Sequence, residues 1–156
     1  MLDRETISQR FFSCYPGTTR REMGLIFGVT KGAVTGWTKK RNVPWRKLKY
    51  LSDSQAVSWD WLLASREPKS SLKKPVILTS TNPDFDSEGI TQRFYSLYPG
   101  MKQIEIAASL KVTTTTVNDW KRNKRKVSWE RLADAVDTFD VTWDWLIDGL
   151  EPKYRE

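Results

Sequence analysis

Residues 20–37 read RREMGLIFGVTKGAVTGW, and residues 103–120 read QIEIAASLKVTTTTVNDW. Two helices that cross closely through a tight turn need apolar residues at the fourth, eighth, tenth, fifteenth and eighteenth places of such a stretch, and a small residue at the fifth. The small residues are Gly24 and Ala107. The apolar places hold Met23, Phe27, Val29, Val34 and Trp37 in one stretch and Ile106, Leu110, Val112, Val117 and Trp120 in the other. The sequence therefore predicts two helix-turn-helix motifs.

A longer similarity shows that each motif belongs to a duplicated domain. Residues 57–69 read VSWDWLLASREPK, and residues 141–153 read VTWDWLIDGLEPK. Aligned from Ile7 and Ile90 onward, 25 of 63 residue pairs are identical, with one extra residue in the second half between positions 121 and 126. The eight tryptophans form four aligned pairs, which favours a role in packing. Two copies about 83 residues apart indicate two globular domains, since solenoid repeats are shorter.

The periodicity within both copies is helical, so the sequence predicts an all-α protein with about five helices in each domain. The predicted helices cover residues 5–15, 20–27, 88–98 and 103–110, with Thr30 and Thr113 as N-caps of the next helix in each copy. A fourth helix is expected to begin near Pro44 or Ser128, and a fifth is expected after a Ser58 or Thr142 cap. We predict domains at residues 1–69 and 88–156.

The segment between the copies, residues 70–87, reads SSLKKPVILTSTNPDFDS. Its two prolines, its many Ser and Thr residues and its lack of a helical period predict an irregular linker. Residues 76–79 form an apolar island within it, for which a short strand and a contact with one of the domains are both open.

Composition points to a polyanionic partner and away from enzymes. Residues 1–69 carry 13 Lys/Arg against 6 Asp/Glu, a net charge of +7, whereas residues 88–156 carry 11 against 11. The chain has no histidine and one cysteine, Cys14, which aligns with Leu97 and is interpreted as an inner-face apolar residue. We therefore expect no metal site, no cofactor, no catalytic residue and no small-molecule substrate. Asp60 and Asp144 are interpreted as structural, because each follows a helix cap.

The sequence also lacks a signal-peptide stretch and any run of about 18 apolar residues. We therefore expect a cytoplasmic protein with no membrane partner.

Several features together resemble the helix-turn-helix domain of phage CI-type repressors, within the lambda-repressor-like five-helix fold. They are the motif itself, a tryptophan and a basic stretch after it (residues 37–41 and 120–124), and the closing Val-Ser-Trp-Asp-Trp-Leu box. The resemblance covers nearly all of both copies and implies two tandem domains of that fold. Family members often carry a C-terminal self-cleaving and dimerising domain, whereas here a second copy takes that place, so cleavage is not carried over.

In this class of motif the second helix enters the major groove with its N-terminal part, and donors beside the groove contact phosphates. Lys31 is suited to guanine and Asn118 to adenine. Asp119, aligned with Gly36, is unfavourable near phosphate, although a carboxylate can accept a hydrogen bond from cytosine. The expected base-reading residues are Lys31, Gly32, Thr35, Thr114, Thr115 and Asn118. The expected phosphate contacts are Arg20, Thr30, Lys39, Lys40, Arg41, Gln103, Thr113, Lys121, Arg122, Lys124, Arg125 and Lys126.

These features predict a sequence-specific transcriptional regulator that binds double-stranded DNA and acts as a repressor of phage or mobile-element promoters. One chain can place two unlike recognition helices about 34 Å apart in successive major grooves, and a homodimer with four motifs is equally allowed. In the alternative, domain 1 alone binds DNA and the neutral domain 2 is a dimerisation or protein-interaction module. An enzyme such as a nuclease is disfavoured.

Overall fold

The computed structural model describes residues 2–67, 69–70, 74–75, 78, 80 and 83–154, and the regular elements among them are all α-helices. The all-α prediction is therefore confirmed for this part of the chain. The chain divides into two compact units between Phe85 and Asp86. The first unit contains α1 (Arg4–Ser13), α2 (Arg20–Phe27), α3 (Lys31–Lys40), α4 (Trp45–Gln55) and α5 (Trp59–Ala64). The second contains α6 (Ser87–Ser96), α7 (Gln103–Ser109), α8 (Thr114–Lys121), α9 (Trp129–Phe139) and α10 (Trp143–Asp148).

Four of the six helix starts for which a cap was predicted have the expected side-chain cap. Pro44 differs, since it is the residue before α4 and not part of its first turn, and Ser128 precedes α9 without a side-chain capping hydrogen bond. Cys14 follows α1 and is half-buried, and this burial raises the pKa of its thiol. Four predicted caps accept a backbone N–H three residues further on, at 3.1–3.3 Å: Thr30, Ser58, Thr113 and Thr142.

Aromatic side chains hold the helix-turn-helix against the first helix of each unit. In the first unit the Phe27 and Trp37 rings lie 5.9 Å apart, and both contact Phe11 of α1. In the second unit Phe94 of α6 lies 6.0 Å from Trp120. The tryptophans are core or half-core residues, as predicted: Trp37, Trp59, Trp120, Trp143 and Trp145 are buried, and Trp45, Trp61 and Trp129 are half-buried.

The close crossing of α2 and α3 depends on Gly24. A Cβ at this position would lie 2.7 Å from the carbonyl oxygen of Val29, whose own N–H donates to the Gly24 carbonyl at 2.8 Å. The turn that follows needs a left-handed residue, which is Gly28 (φ +61°) in the first unit and Lys111 (φ +52°) in the second. A non-glycine residue is disfavoured in this region, which agrees with the cost expected for Lys111 from the sequence.

Replacing Gly24 with alanine is expected to lower the free energy of unfolding of the first unit by about 1–3 kcal/mol, because backbone atoms must move to admit the new Cβ. The matched variant is Ala107→Gly in the second unit, which is expected to cost only about 1 kcal/mol through helix propensity. Urea unfolding followed by circular dichroism measures both. A Gly24→Ala protein as stable as the wild type would contradict the close crossing.

An aligned pair of arginines joins the first helix to the last in each unit. The Nη1 atom of Arg10 donates to the carbonyl oxygens of Trp61 and Leu62 at 2.9 and 2.8 Å. Arg93 donates through Nε and Nη2 to the carbonyls of residues 146 and 147, at 2.9 and 2.7 Å. These carbonyls belong to the last turns of α5 and α10, where a cation also complements the helix dipole.

Substituting Arg10 with methionine is expected to destabilise the first unit by about 2–3 kcal/mol, since two carbonyl groups lose a charged donor. Arg21→Met, on the exposed side of α2, is the control, with an expected change within about 0.5 kcal/mol. Thermal unfolding distinguishes the two variants. Equal midpoints for both would contradict the structural role of Arg10.

The repeated Glu-Pro-Lys ending closes each unit. The N–H of Ser58 donates to the carbonyl of Lys69, and the N–H of Thr142 donates to that of Lys153, both at 2.8 Å. The ammonium of Lys153 lies 4.6 Å from the centroid of the Trp145 ring, and that of Lys69 stacks on Trp61 in the same way. The chain after α5 and α10 therefore folds back onto the tryptophan box.

The end of the predicted linker belongs to the first unit. Phe85 lies 5.8 Å from the Trp59 ring and under the ammonium of Lys49, and Asp84 pairs with Arg46 at 2.8 Å. Asp86 is already the N-cap of α6, and Ser87, placed in the linker on sequence grounds, is its first residue. Three residues of the apolar island, 76, 77 and 79, lie outside the described residues.

Within the part of the chain that the structure describes, no helix has the length and apolar character that a membrane span requires.

Candidate nucleic-acid interface

The second helix of each motif has a buried inner face and a more exposed outer face. On the inner face of α3, Val34 and Trp37 are buried, and Val117 and Trp120 are their counterparts on α8. On the outer face, Lys31 and Gly32 of α3 are exposed, and Thr35 is half-buried. The outer face of α8 presents exposed Thr114 and Thr115 and half-buried Asn118. The six residues predicted to read bases therefore lie on the outer faces, three to each helix.

The threonines of this surface differ in how their hydroxyl groups are used. Thr35 donates its hydroxyl to the carbonyl of Lys31 at 2.9 Å, so the methyl group is the more available part of this side chain for a base. Thr30 and Thr113 cap their helices, and Thr113 also shares a 2.9 Å hydrogen bond with Thr116. The two predicted phosphate-contacting threonines are exposed, yet each already has a structural role.

Exposed cations lie at and after the end of the second helix of each motif. In the first unit they are Lys39, Lys40 and Arg41. In the second unit they form the basic segment, residues 121–126, in which all six residues are exposed. The extra residue of the second copy falls in this segment, where Asn123 adopts the left-handed conformation (φ +53°). The five predicted cations of the basic segment are Lys121, Arg122, Lys124, Arg125 and Lys126.

In the first unit the fold brings together cations from both sides of the motif. Arg20, at the start of α2, and Arg41, after α3, line one open cleft of about 640 Å³ with Thr18 and Thr38. Arg41 also forms an ion pair with Glu5 of α1, in which the two side chains are 61% and 43% exposed. Two predicted phosphate contacts thus lie around one concave surface, which Glu5 also lines.

The corresponding entrance to the motif of the second unit has a different character. Gln103 stands in place of Arg20 and is half-buried. Ile104 stands in place of Arg21 and is 65% exposed, and Met101 stands in place of Thr18 and is 39% exposed. Exposed Lys102 is the cation of this region. Cationic contacts in the second unit must therefore come mainly from the basic segment.

Part of the positive charge of the first unit is used inside the fold. Lys47 is 3% exposed, and its ammonium donates to the carbonyl of Phe27 at 3.0 Å, at the end of α2. Burial lowers the pKa of this ammonium. Together with Arg10, Lys47 counts toward the net charge of +7 for residues 1–69 without belonging to the outer surface of the motif. Arg93 is used in the same way in the second unit, and Asp60 is buried in the first, so these internal charges do not reduce the difference in net charge between the two units.

Comparison of the chain with protein-family models, with curated proteins and with solved structures gives no match. The resemblance to CI-type repressors therefore rests on the residues quoted above. The described residues also hold no group of three or more Cys, Asp or Glu side chains placed to bind a metal ion.

Two carboxylates beside this surface could not be assigned from the sequence. Glu5 lies 36 positions before Arg41, and only the packing of α1 beside the end of α3 brings the pair together. Asp119 was noted as unfavourable near phosphate, but the structure places it 3.9 Å from Arg125. The inserted residue marks the segment in which the chain changes course, but it does not identify Asp119 and Arg125 as a pair.

Proposed function

We propose that the protein is a sequence-specific regulator that binds double-stranded DNA, acting as a repressor of phage or mobile-element type in the bacterial cytoplasm. The observation that carries this proposal is the repeated arrangement of each unit. In both units a helix packs through a buried apolar face, presents a polar face that is exposed or half-buried, and carries exposed cations at and after its end. An α-helix of this kind fits the major groove, and cations beside it fit the phosphates.

Within this proposal the two units read different bases. Lys31 donates to guanine O6 or N7, and the exposed backbone at Gly32 leaves room for close approach. Asn118 pairs with adenine through its amide, and Thr114 and Thr115 contact thymine methyl groups or donate hydrogen bonds. The flanking cations hold the helices in the grooves without reading sequence.

The test is selection of bound duplexes from a random pool by the purified full chain at about 100 mM salt. We expect one enriched sequence and an affinity for it at least about 1000-fold higher than for unrelated duplex. A pool that shows no enrichment after repeated rounds, together with no measurable duplex binding, would contradict the proposal. Enrichment of single-stranded or RNA competitors over duplex would also contradict it.

A second candidate is favoured by the apolar entrance of the second unit. Ile104 and Met101 are exposed where the first unit has Arg21 and Thr18, which suits a protein surface better than phosphate. In this alternative only the first unit binds DNA, and the second binds another chain or a second copy of this one. Analytical ultracentrifugation of the full chain with Ile104→Arg as the matched variant distinguishes the candidates. Loss of self-association in the variant with unchanged DNA affinity supports the second.

A further inference from the structure

One arginine of the basic segment is held against the recognition helix of the second unit. The Nε atom of Arg125 lies 3.9 Å from Oδ2 of Asp119. The backbone N–H groups of Lys124 and Arg125 both donate to the carbonyl oxygen of Asp119, at 2.9 and 3.3 Å. The basic segment therefore folds back over the last turn of α8, and Asp119 contacts Arg125 through both its backbone and its side chain.

The first unit holds an arginine in the corresponding region with a different carboxylate. Arg41 pairs with Glu5 of α1. The aligned residue in the second unit, Glu88, is instead 3.4 Å from the amide nitrogen of Gln92. Gly36, the residue aligned with Asp119, has no side chain to offer. Each unit thus pairs one arginine after its recognition helix with one carboxylate. The first helix, α1, supplies the carboxylate in the first unit, and the third helix, α8, supplies it in the second.

The geometry leaves Arg125 able to contact a further anion. Its side chain is 67% exposed, whereas that of Asp119 is 26% exposed. A guanidinium has five N–H donors in a fixed plane, and one carboxylate engages two of them at most. A phosphate can therefore bind on the outer side of the guanidinium while the carboxylate, 3.9 Å from Nε, attracts its inner side. An unpaired carboxylate at the same place would only repel a phosphate.

We propose that Asp119 is a positioning residue of the second unit, which orients Arg125 toward a phosphate of the DNA backbone. This inference rests on the proposed function, because it requires the second unit to bind DNA. It also gives a reason for an acidic residue on the helix that faces a polyanion. Substitution of the Asp119 side chain leaves its carbonyl oxygen in place, so the fold of the basic segment can be kept while the ion pair is removed.

The test is a double-mutant cycle in the full chain, measured on the duplex that the chain selects. Arg125→Gln is expected to lower the affinity about tenfold, and Asp119→Asn about three- to tenfold. The double variant is expected to bind no more weakly than Arg125→Gln alone, because Asp119 acts through Arg125. The slope of log affinity against log salt should become shallower by about one in Arg125→Gln and should change no further in the double variant. Asp119→Asn binding more tightly than wild type would overturn the proposal, and so would losses that multiply.

Gly36→Asp provides the matched control in the first unit. A Cβ at Gly36 has no atom within 4 Å, so the new side chain needs no repacking. We expect this carboxylate to weaken binding by repulsion, with the same factor in the wild-type and Arg125→Gln backgrounds. If Gly36→Asp no longer weakened DNA binding in the Arg125→Gln background, the coupling between Asp119 and Arg125 could not be attributed to their ion pair.

A measurement on the free protein tests the positioning role of Asp119 separately from the proposed DNA-binding function. ¹⁵N relaxation of the Arg125 Nε–H group is expected to show greater motion in Asp119→Asn than in the wild type. If the wild type binds its duplex but this motion is unchanged, the positioning role fails and the proposed function stands. If the wild type binds no duplex, both fail.

Discussion

Replacing the five cations of the basic segment with glutamine is expected to reduce the affinity for the selected duplex by at least about 100-fold near 100 mM salt. The physical reason is the release of counterions, which contributes about 0.9 to the slope of log affinity against log salt for each phosphate neutralised. Three to five lost contacts would make that slope shallower by about 3–4. The effect is large because Gln103, Ile104 and Met101 leave the second unit with few other cationic contacts.

Fluorescence anisotropy at four or more salt concentrations gives both the affinity and the slope. Arg131→Gln is the control, because it removes one cation of the second unit outside the segment, from a residue paired with Asp134 at 3.0 Å. We expect the control to change affinity less than about threefold. An unchanged slope in the five-residue variant would mean that the second unit does not touch DNA, which is the second candidate function.

Trp59→Ala is expected to unfold the first unit. Trp59 has no exposed surface and packs against Phe85, and removing a buried tryptophan costs about 3–5 kcal/mol. A domain of about 70 residues has a total stability of similar size. The helical circular-dichroism signal contributed by α1–α5 should therefore be lost without denaturant, and the NMR signals of those helices should collapse to random-coil positions.

The matched control for this variant is Trp61→Ala in the same helix. Trp61 is half-buried and carries Lys69 on its ring, so its removal is expected to cost about 1–2 kcal/mol and to leave the unit folded. If Trp59→Ala retained the helical signal and the urea midpoint of the wild type, the assignment of this residue to the core would be wrong.

The helices could be predicted from the sequence because their signals are local. Helix geometry explains the spacing of the buried residues Met23, Phe27, Val34 and Trp37. Thr30 could be predicted as an N-cap because its hydroxyl oxygen accepts a hydrogen bond from an unpaired N–H group at the start of the helix. Duplication strengthened each prediction, since Ile106, Leu110, Val117 and Trp120 repeat the pattern with other side chains.

Long-range ion pairs and carbonyl contacts could not be predicted. Arg10 and Lys47 were indistinguishable from surface cations, because the carbonyl groups they bind are 20 to 52 positions away. Phe85 lies in a segment without helical periodicity. Its contact with Trp59 depends on the long-range path that brings the end of this segment back to the first unit. The residues predicted to read bases could be assigned to one face of each helix from the sequence. The position of Arg125 could not, because it depends on the path of the chain through the inserted residue.

The central claim is that two unlike recognition helices each read a half-site. The most direct measurement is duplex selection with the wild type and with a triple variant, Thr114→Lys, Thr115→Gly and Asn118→Thr, which gives α8 the outer-face residues of α3. For the wild type we predict two unlike half-sites at one fixed spacing. For the variant we predict the same spacing, with the second half-site changed to match the first. An identical selected sequence for both proteins would contradict the claim.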